Sequence, residues 1–125
     1  MIASSLKASL ATGIKVSIIG IEKNKHAVIS IRNRIIEEKW LNVKLLHVDM
    51  RNWQPNEEDL VDIMVSELLG SWGDNELSPE CLDGAQKCLK PDGISIPANY
   101  TSYLSPISSH KLWTDARDMP NVKKK

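Results

Sequence analysis

The chain has no net charge to work with: 16 Lys and Arg stand against 16 Asp and Glu among its 125 residues. No global field therefore draws it onto nucleic acid or an anionic lipid surface, and DNA packaging or membrane-surface roles are disfavoured. Cysteine is equally scarce. Cys81 and Cys88 are the only two, too few for the disulfide framework of a small secreted domain. They stand apart from any Cys-x-x-Cys or histidine cluster, so no metal site is expected. No apolar run approaches the roughly 20 residues of a membrane span. The opening MIASSLKASLATG lacks the basic start and long apolar core of a signal peptide. A reduced, intracellular protein is expected, and no internal repeat is present.

What is there is a mixture suited to one soluble domain: 42% hydrophobic, 26% charged, mean hydropathy -0.27. A chain of this size is expected to bury roughly two-thirds of its unfolded surface. Ile2, Leu6 and Leu10 recur at helical spacing, and Gly13 offers the left-handed stop. Lys15 to Ile21 is short, β-branched and nearly all apolar, as in a strand covered on both faces, and it ends at Glu22. Asn24 then caps a helix to about Trp40, with Ala27, Val28, Ile31 and Ile35 as its apolar stripe.

Val43 to Val48 reads as a second strand ending at Asp49, and Val61 to Ser66 as a third ending at Glu67. The polar, Pro55-containing segment between them is loop or a short helical turn. After the loop LLGSWGDNE, Ser78-Pro79-Glu80 has the form of a helix start, with Ser78 as cap and Leu82, Ala85, Cys88 and Leu89 as the buried stripe. Lys90-Pro91-Asp92-Gly93 reads as a turn before Ile94 to Ile96, Tyr100 to Ile107 as a further strand, and the tail from Thr114 as unstructured. Alternating strands and helices predict the doubly wound α/β class with a parallel sheet. Ligands of that class sit beyond the carboxyl ends of the strands. Glu22, Asp49 and Glu67 each occupy that place.

Each acid has two readings at this level. Glu22 can accept both hydroxyls of a ribose, or it can favour the helix that follows. Asp49 can accept from an exocyclic amine such as that of adenine, with Met50 as a soft neighbour of the base, or it can cap a turn. Glu67 and Glu76 bracket a loop whose Gly70 and Gly73 allow a tight reversal. Two converging carboxylates suit a planar guanidinium, which forks five N–H donors and does not deprotonate. A solvated acidic loop or a glycosidase-like acid pair fits the same residues. Trp72 either walls a pocket there or anchors the loop. His47, within an apolar strand, reads as structural, while His26 and His110 read as surface positions.

The run SELLGSWGDNELSPECLDGAQKCLKPDGISIPANYTSYLSPISSHKLW, Ser66 to Trp113, resembles the type II protein arginine N-methyltransferases, which form symmetric dimethylarginine. The likeness rests on the paired-glutamate loop followed by the LSPECLDGAQ helix, and IEKN and VDMRNW extend it upstream. It implies a Rossmann-like class I methyltransferase sheet domain over 1–96, the start of a β-barrel substrate domain over 97–113, and an unrelated basic tail over 114–125. It also implies S-adenosylmethionine as cofactor and S-adenosylhomocysteine as product. By the resemblance Glu22 holds the cofactor ribose, Asp49 and Met50 the adenine, Cys81 lines that pocket, and Glu67 and Glu76 clamp the substrate guanidinium as the catalytic pair. Implied partners are arginine-containing proteins such as histone and Sm-protein tails, a WD-repeat protein and further copies of the enzyme. The implied setting is cytoplasm and nucleus, with a role in chromatin regulation.

Some of the family pattern is not met. Its glycine-rich turn belongs before the opening helix, where Met1 stands, and Trp72 and Gly73 stand where Phe and Ala are expected. The chain is therefore expected to be a segment of a longer enzyme, without the first cofactor-binding strand or most of the barrel. Such a segment is expected to be inactive alone and marginally stable or self-associating. The alternative function is a non-catalytic interaction module working through an exposed sheet edge.

Overall fold

The computed structural model describes residues 1–73 and 75–119. The chain opens with α1, Ile2–Thr12, stopped by Gly13 at φ 71 as its spacing predicts. Strand β1, Ile18–Glu22, follows, and Ile2 of α1 packs against Gly20 at its centre. Helix α2, Lys25–Glu37, starts where Asn24 accepts from His26 N at 2.9 Å and Ala27 N at 3.4 Å. It ends three residues short of Trp40, and the reason is local. Lys39 takes φ 53, with Lys39 N donating to Ile36 O at 3.3 Å and Trp40 N to Ile35 O at 3.0 Å. That paired closure terminates a helix by consuming its last free carbonyls.

Strand β2, Val43–His47, pairs in parallel with β1, from Ile18 opposite Val43 to Glu22 opposite His47. A 3-10 turn, Glu57–Asp59, leads into β3, Val61–Val65. Helix α3 spans Ser78–Ala85, a second 3-10 turn Gln86–Cys88, and β4 Leu89–Ile96. Strand β4 pairs in parallel with β3, Ile63 against Ile94 and Val65 against Ile96. The expected turn at Lys90 to Gly93 is absorbed as an irregularity in β4, because Val61 still finds Leu89 while Ile63 finds Ile94. Such an insertion leaves extra residues unpaired without ending the strand.

The α/β class with parallel pairing is as expected, but the strands form two separate pairs, β1 with β2 and β3 with β4, among the described residues. The continuous sheet of a doubly wound fold is not formed. The pairs are joined across the 3-10 turn, where Asp59 accepts from Lys44 Nζ of β2 at 2.6 Å and from Asn56 N at 3.2 Å. Asp59 is buried.

Burial is thin. The buried apolar residues among those described are Val28, Ala85 and Cys88, and β1, the strand expected to be covered on both faces, is only half-buried along its length. Ile63, Val65, Ile94 and Ile96, neighbours on one face of the β3–β4 pair, are each about half exposed. The accessible surface is 10301 Å², against roughly 6,700 Å² for a compact chain of this mass, so about half of the unfolded surface is buried in place of two-thirds.

Three further expectations are corrected. Leu77, at φ 61, caps α3, and Ser78 lies inside the helix and buried. No strand forms over 100–107, since an alternating pattern needs a partner edge and Pro106 lies within it. Helix α4, His110–Arg117, with Ser109 Oγ accepting from Leu112 N at 3.3 Å, runs into the segment from Thr114 expected to lack structure. The last six residues of the basic tail, 120–125, lie outside the described residues.

Candidate functional site

The parallel register of β1 and β2 brings their carboxyl ends level, and Val48 N donating to Glu22 O at 3.2 Å continues the pairing past the strands. Glu22 and Asp49 thus share one edge. Glu22 is half-buried, and its Oε1 accepts from Asn24 N at 2.7 Å. The second carboxylate oxygen of Glu22 has no protein partner among the described residues. His47, expected to be structural, is exposed, with Nε2 3.2 Å from Lys23 O.

Asp49 is gripped by Arg51. Arg51 Nε donates to Oδ1 at 3.0 Å, Nη2 to Oδ2 at 2.7 Å, and the Arg51 backbone N to Oδ1 at 3.1 Å. Lys23 Nζ stands 3.6 Å from Oδ2. The Arg51 side-chain bonds, then its backbone N–H, hold the Asp49 carboxyl well below the usual carboxylate range. Each carboxylate oxygen offers two acceptor positions. Oδ1 is filled and Oδ2 retains one.

Helix α3 covers this loop from the other side. A Cβ placed on Gly84 would fall 2.6 Å from Arg51 Cα and 3.1 Å from Met50 O, an approach only glycine permits. Met50 is half-buried beneath it. Cys81, half-buried and free, sits in the first turn of α3, its N donating to Leu77 O at 3.0 Å. Asp49 above all, and then Glu80 on α3, hold the Arg51 guanidinium charged. Glu22 and Asp49 therefore stand at the carboxyl edge of one strand pair, with Met50 in the loop that packs against α3, the helix that carries Cys81.

Glu67 lies elsewhere, after β3, which pairs with β4 and not with β1 or β2. The expected edge of three carboxylates is accordingly two carboxylates on one pair and one on the other. The reversal between Glu67 and Glu76 is formed: Gly70 N donates to Gly73 O at 2.9 Å and Gly73 N to Gly70 O at 3.1 Å. Gly73 takes φ 78. Glu76 Cγ lies against Gly70, 2.8 Å from where a Cβ would stand, so Glu76 folds back toward the start of the loop that Glu67 opens. Both glutamates are exposed, and neither carboxylate has a hydrogen bond or ion pair among the described residues. Trp72 is about half exposed and walls a shallow recess of about 310 Å³ with Leu69, Tyr100 and Tyr103. Ser102 Oγ donates to Trp72 O at 3.4 Å across it.

Arg51 and Lys23 were not legible as site residues. The signal for Arg51 was the Asp-x-Arg spacing just past a strand, which lets one side chain fork back onto the other.

A parallel strand pair with carboxylates at its carboxyl end, faced by a helix, is an arrangement for holding a polar organic ligand. The sequence pattern of the PRMT5 arginine-N-methyltransferase family matches residues 1–96. The chain belongs to that family. It is 52% identical over 118 residues to protein arginine N-methyltransferase 5 of Oryza sativa subsp. japonica, covering 94% of this chain and 18% of the relative. The same enzyme of Xenopus laevis is 51% identical over 117 residues, covering 94% and 18%. Protein arginine N-methyltransferase skb1 of Schizosaccharomyces pombe is 48% identical over 124 residues, covering 94% and 19%. The chain thus spans under a fifth of the length of these relatives.

Proposed function

We propose that this chain carries the nucleoside side of an S-adenosylmethionine site and the guanidinium clamp of a symmetric-dimethylarginine-forming methyltransferase. The observation that carries it is that the parallel register brings Glu22 and, two residues past its partner His47, Asp49 to one edge, with the Met50–Arg51 backbone packed against Gly84 of α3, the helix that carries Cys81. The residues fit the cofactor chemically. Glu22 has a free carboxylate oxygen for a ribose hydroxyl, and Asp49 has one open acceptor position for an adenine amine. The cofactor supplies the electrophilic methyl when bound. Glu67 and Glu76 bind the substrate guanidinium, fix its plane and offset its charge, which places a nitrogen for attack without a covalent enzyme intermediate. The exposure of both glutamates and the family membership support that role.

Titration calorimetry with S-adenosylmethionine tests the reading, with Glu22→Ala as control. Saturable binding that the variant loses is expected. No binding by a chain shown to be folded by circular dichroism overturns it.

A second reading has its own observation: four half-exposed β-branched residues on one sheet face and two strand pairs whose outer edges are unpaired among the described residues suit an interaction module. Binding of another chain without cofactor binding would favour it.

A further inference from the structure

The grip of Arg51 on Asp49 is more than a surface ion pair, because three donors of one residue converge on one carboxylate whose loop is pinned from behind. We infer that Arg51 is a positioning residue for the nucleoside end of the cofactor site proposed above, fixing the plane of Asp49 and leaving one acceptor position, on Oδ2, for the ligand.

This inference rests on that site reading and deepens it. A free aspartate on a loop rotates about two side-chain torsions and offers its acceptors in many directions. The fork through Nε and Nη2 at 3.0 and 2.7 Å removes that freedom, since a planar guanidinium and a planar carboxylate align when both bonds form. The backbone bond from Arg51 N at 3.1 Å fixes the carboxylate against its own loop. Behind the loop, the close approach of Gly84 to Arg51 Cα and Met50 O leaves the backbone no room to retreat. A carboxylate held this way remains an acceptor, which suits an amine donor. The charged and titratable groups facing the pair are Lys23 after β1 and Glu80 and Cys81 on α3.

Arginine is required by geometry and not by charge alone. Lysine can place one ammonium near Asp49 but cannot fork across both oxygens.

Calorimetric titration with S-adenosylhomocysteine compares the unchanged chain with Arg51→Gln and Arg51→Lys, each checked for folding by circular dichroism. The Gln variant is expected to bind about tenfold more weakly, the size of one lost charge-assisted hydrogen bond. The Lys variant is expected to recover little of that. Carbon-13 NMR of the Asp49 carboxyl reports whether the fork is lost, its titration expected to rise toward the ordinary carboxylate range in the Gln variant, and the comparison with Arg51→Lys, which keeps the charge and not the fork, separates positioning from a merely structural ion pair. Equal affinity in Arg51→Gln, or full recovery in Arg51→Lys, overturns the positioning role while leaving the site reading intact. Absence of binding by the folded, unchanged chain overturns the site reading and this inference with it. Should Arg51→Gln fail to fold, the Lys variant decides alone, since full affinity in it refutes the fork.

Discussion

Lys44 Nζ lies 2.6 Å from Asp59 Oδ1, and through that contact β2 is tied to the turn that opens β3. Asp59 is the buried partner and Lys44 is half exposed. The turn itself is closed reciprocally, Asn56 and Asp59 each accepting from the other's backbone N–H. Removing Lys44 leaves a buried carboxylate short of its cation, whereas removing Asp59 leaves a lysine that water can solvate. Lys44→Met is therefore expected to lower the urea midpoint more than a matched Lys23→Met control. Equal midpoints would deny the link any role in joining the two strand pairs.

The pH dependence follows from groups at both ends of the scale. The Asp59 carboxyl is held low by Lys44 and then by the Asn56 N–H, and Asp49 by Arg51 as above. A carboxyl lowered in the folded state contributes stability above its unfolded value of about 3.9, lost as pH falls through the folded value. At the other end Cys88 is pushed up from 9.0, chiefly by burial, and Lys44 up from 10.5, chiefly by its bond to Asp59. Groups raised in the folded state contribute stability below those values that is lost as pH climbs through the folded ones. Urea midpoints are expected to be flat between about pH 5 and 8, falling below about 4 and above about 9. A Cys88→Ala variant that keeps the full alkaline fall would show that the thiol plays no part in it.

The core is small enough for single positions to be felt. Val28 is 2% exposed on α2 and Ile36 on the same helix is 74% exposed. Val28→Ala is expected to lose about 2 kcal/mol through two buried methyl groups and the space they leave. Ile36→Ala is expected to lose almost nothing. Chemical denaturation of the two variants checks this, and similar losses would mean that the stripe is not packed as described.

Much of this architecture was legible because its signals are local. Asn24 announces α2, Gly13 ends α1, and β-branched runs mark β1, β2 and β3 to within a few residues. The pairing of strands into two separate ladders was not legible, because it depends on contacts far apart in sequence. Helix α4 was missed although Ser109 caps it and it carries i,i+4 pairs, Lys111 with Asp115 at 2.6 Å and Arg117 stacked 4.7 Å from the Trp113 ring. The alternating pattern of 100–107 just upstream reads as a strand, but it has no edge to join. At the site, Glu22 and Asp49 were placed by the rule for strand ends, whereas the fork of Arg51 is a side-chain geometry that no periodicity encodes.

Gly73 is constrained twice over. Its φ of 78 is one that a residue with a Cβ adopts only at a cost, and such a Cβ would fall 2.2 Å from Tyr100 Cε2. Gly73→Ala is expected to lose about 1 kcal/mol or more from the backbone alone, with the ring contact adding to it. Adding Tyr100→Ala is expected to return the ring's share and not the backbone's. A double variant no more stable than the single one would place the whole penalty in the backbone. The readout is Trp fluorescence during urea unfolding.

The guanidinium clamp makes the sharpest demand on chemistry. Glu67→Gln keeps the size and shape of the side chain and removes one negative charge. If Glu67 and Glu76 together hold a guanidinium, the variant loses a charge-assisted pair at the place where the arginine is oriented, while Glu22 and Asp49, on the other strand pair, are untouched. In a full-length family member carrying this segment, methyl transfer is expected to fall by about a hundredfold or more, with cofactor affinity within about twofold. Radiolabelled methyl incorporation and calorimetry read the two quantities separately. Transfer unchanged in Glu67→Gln would leave the loop a solvated acidic turn, the other reading its exposure allows. A parallel loss of cofactor affinity would place Glu67 in the cofactor site and not in a clamp distinct from it.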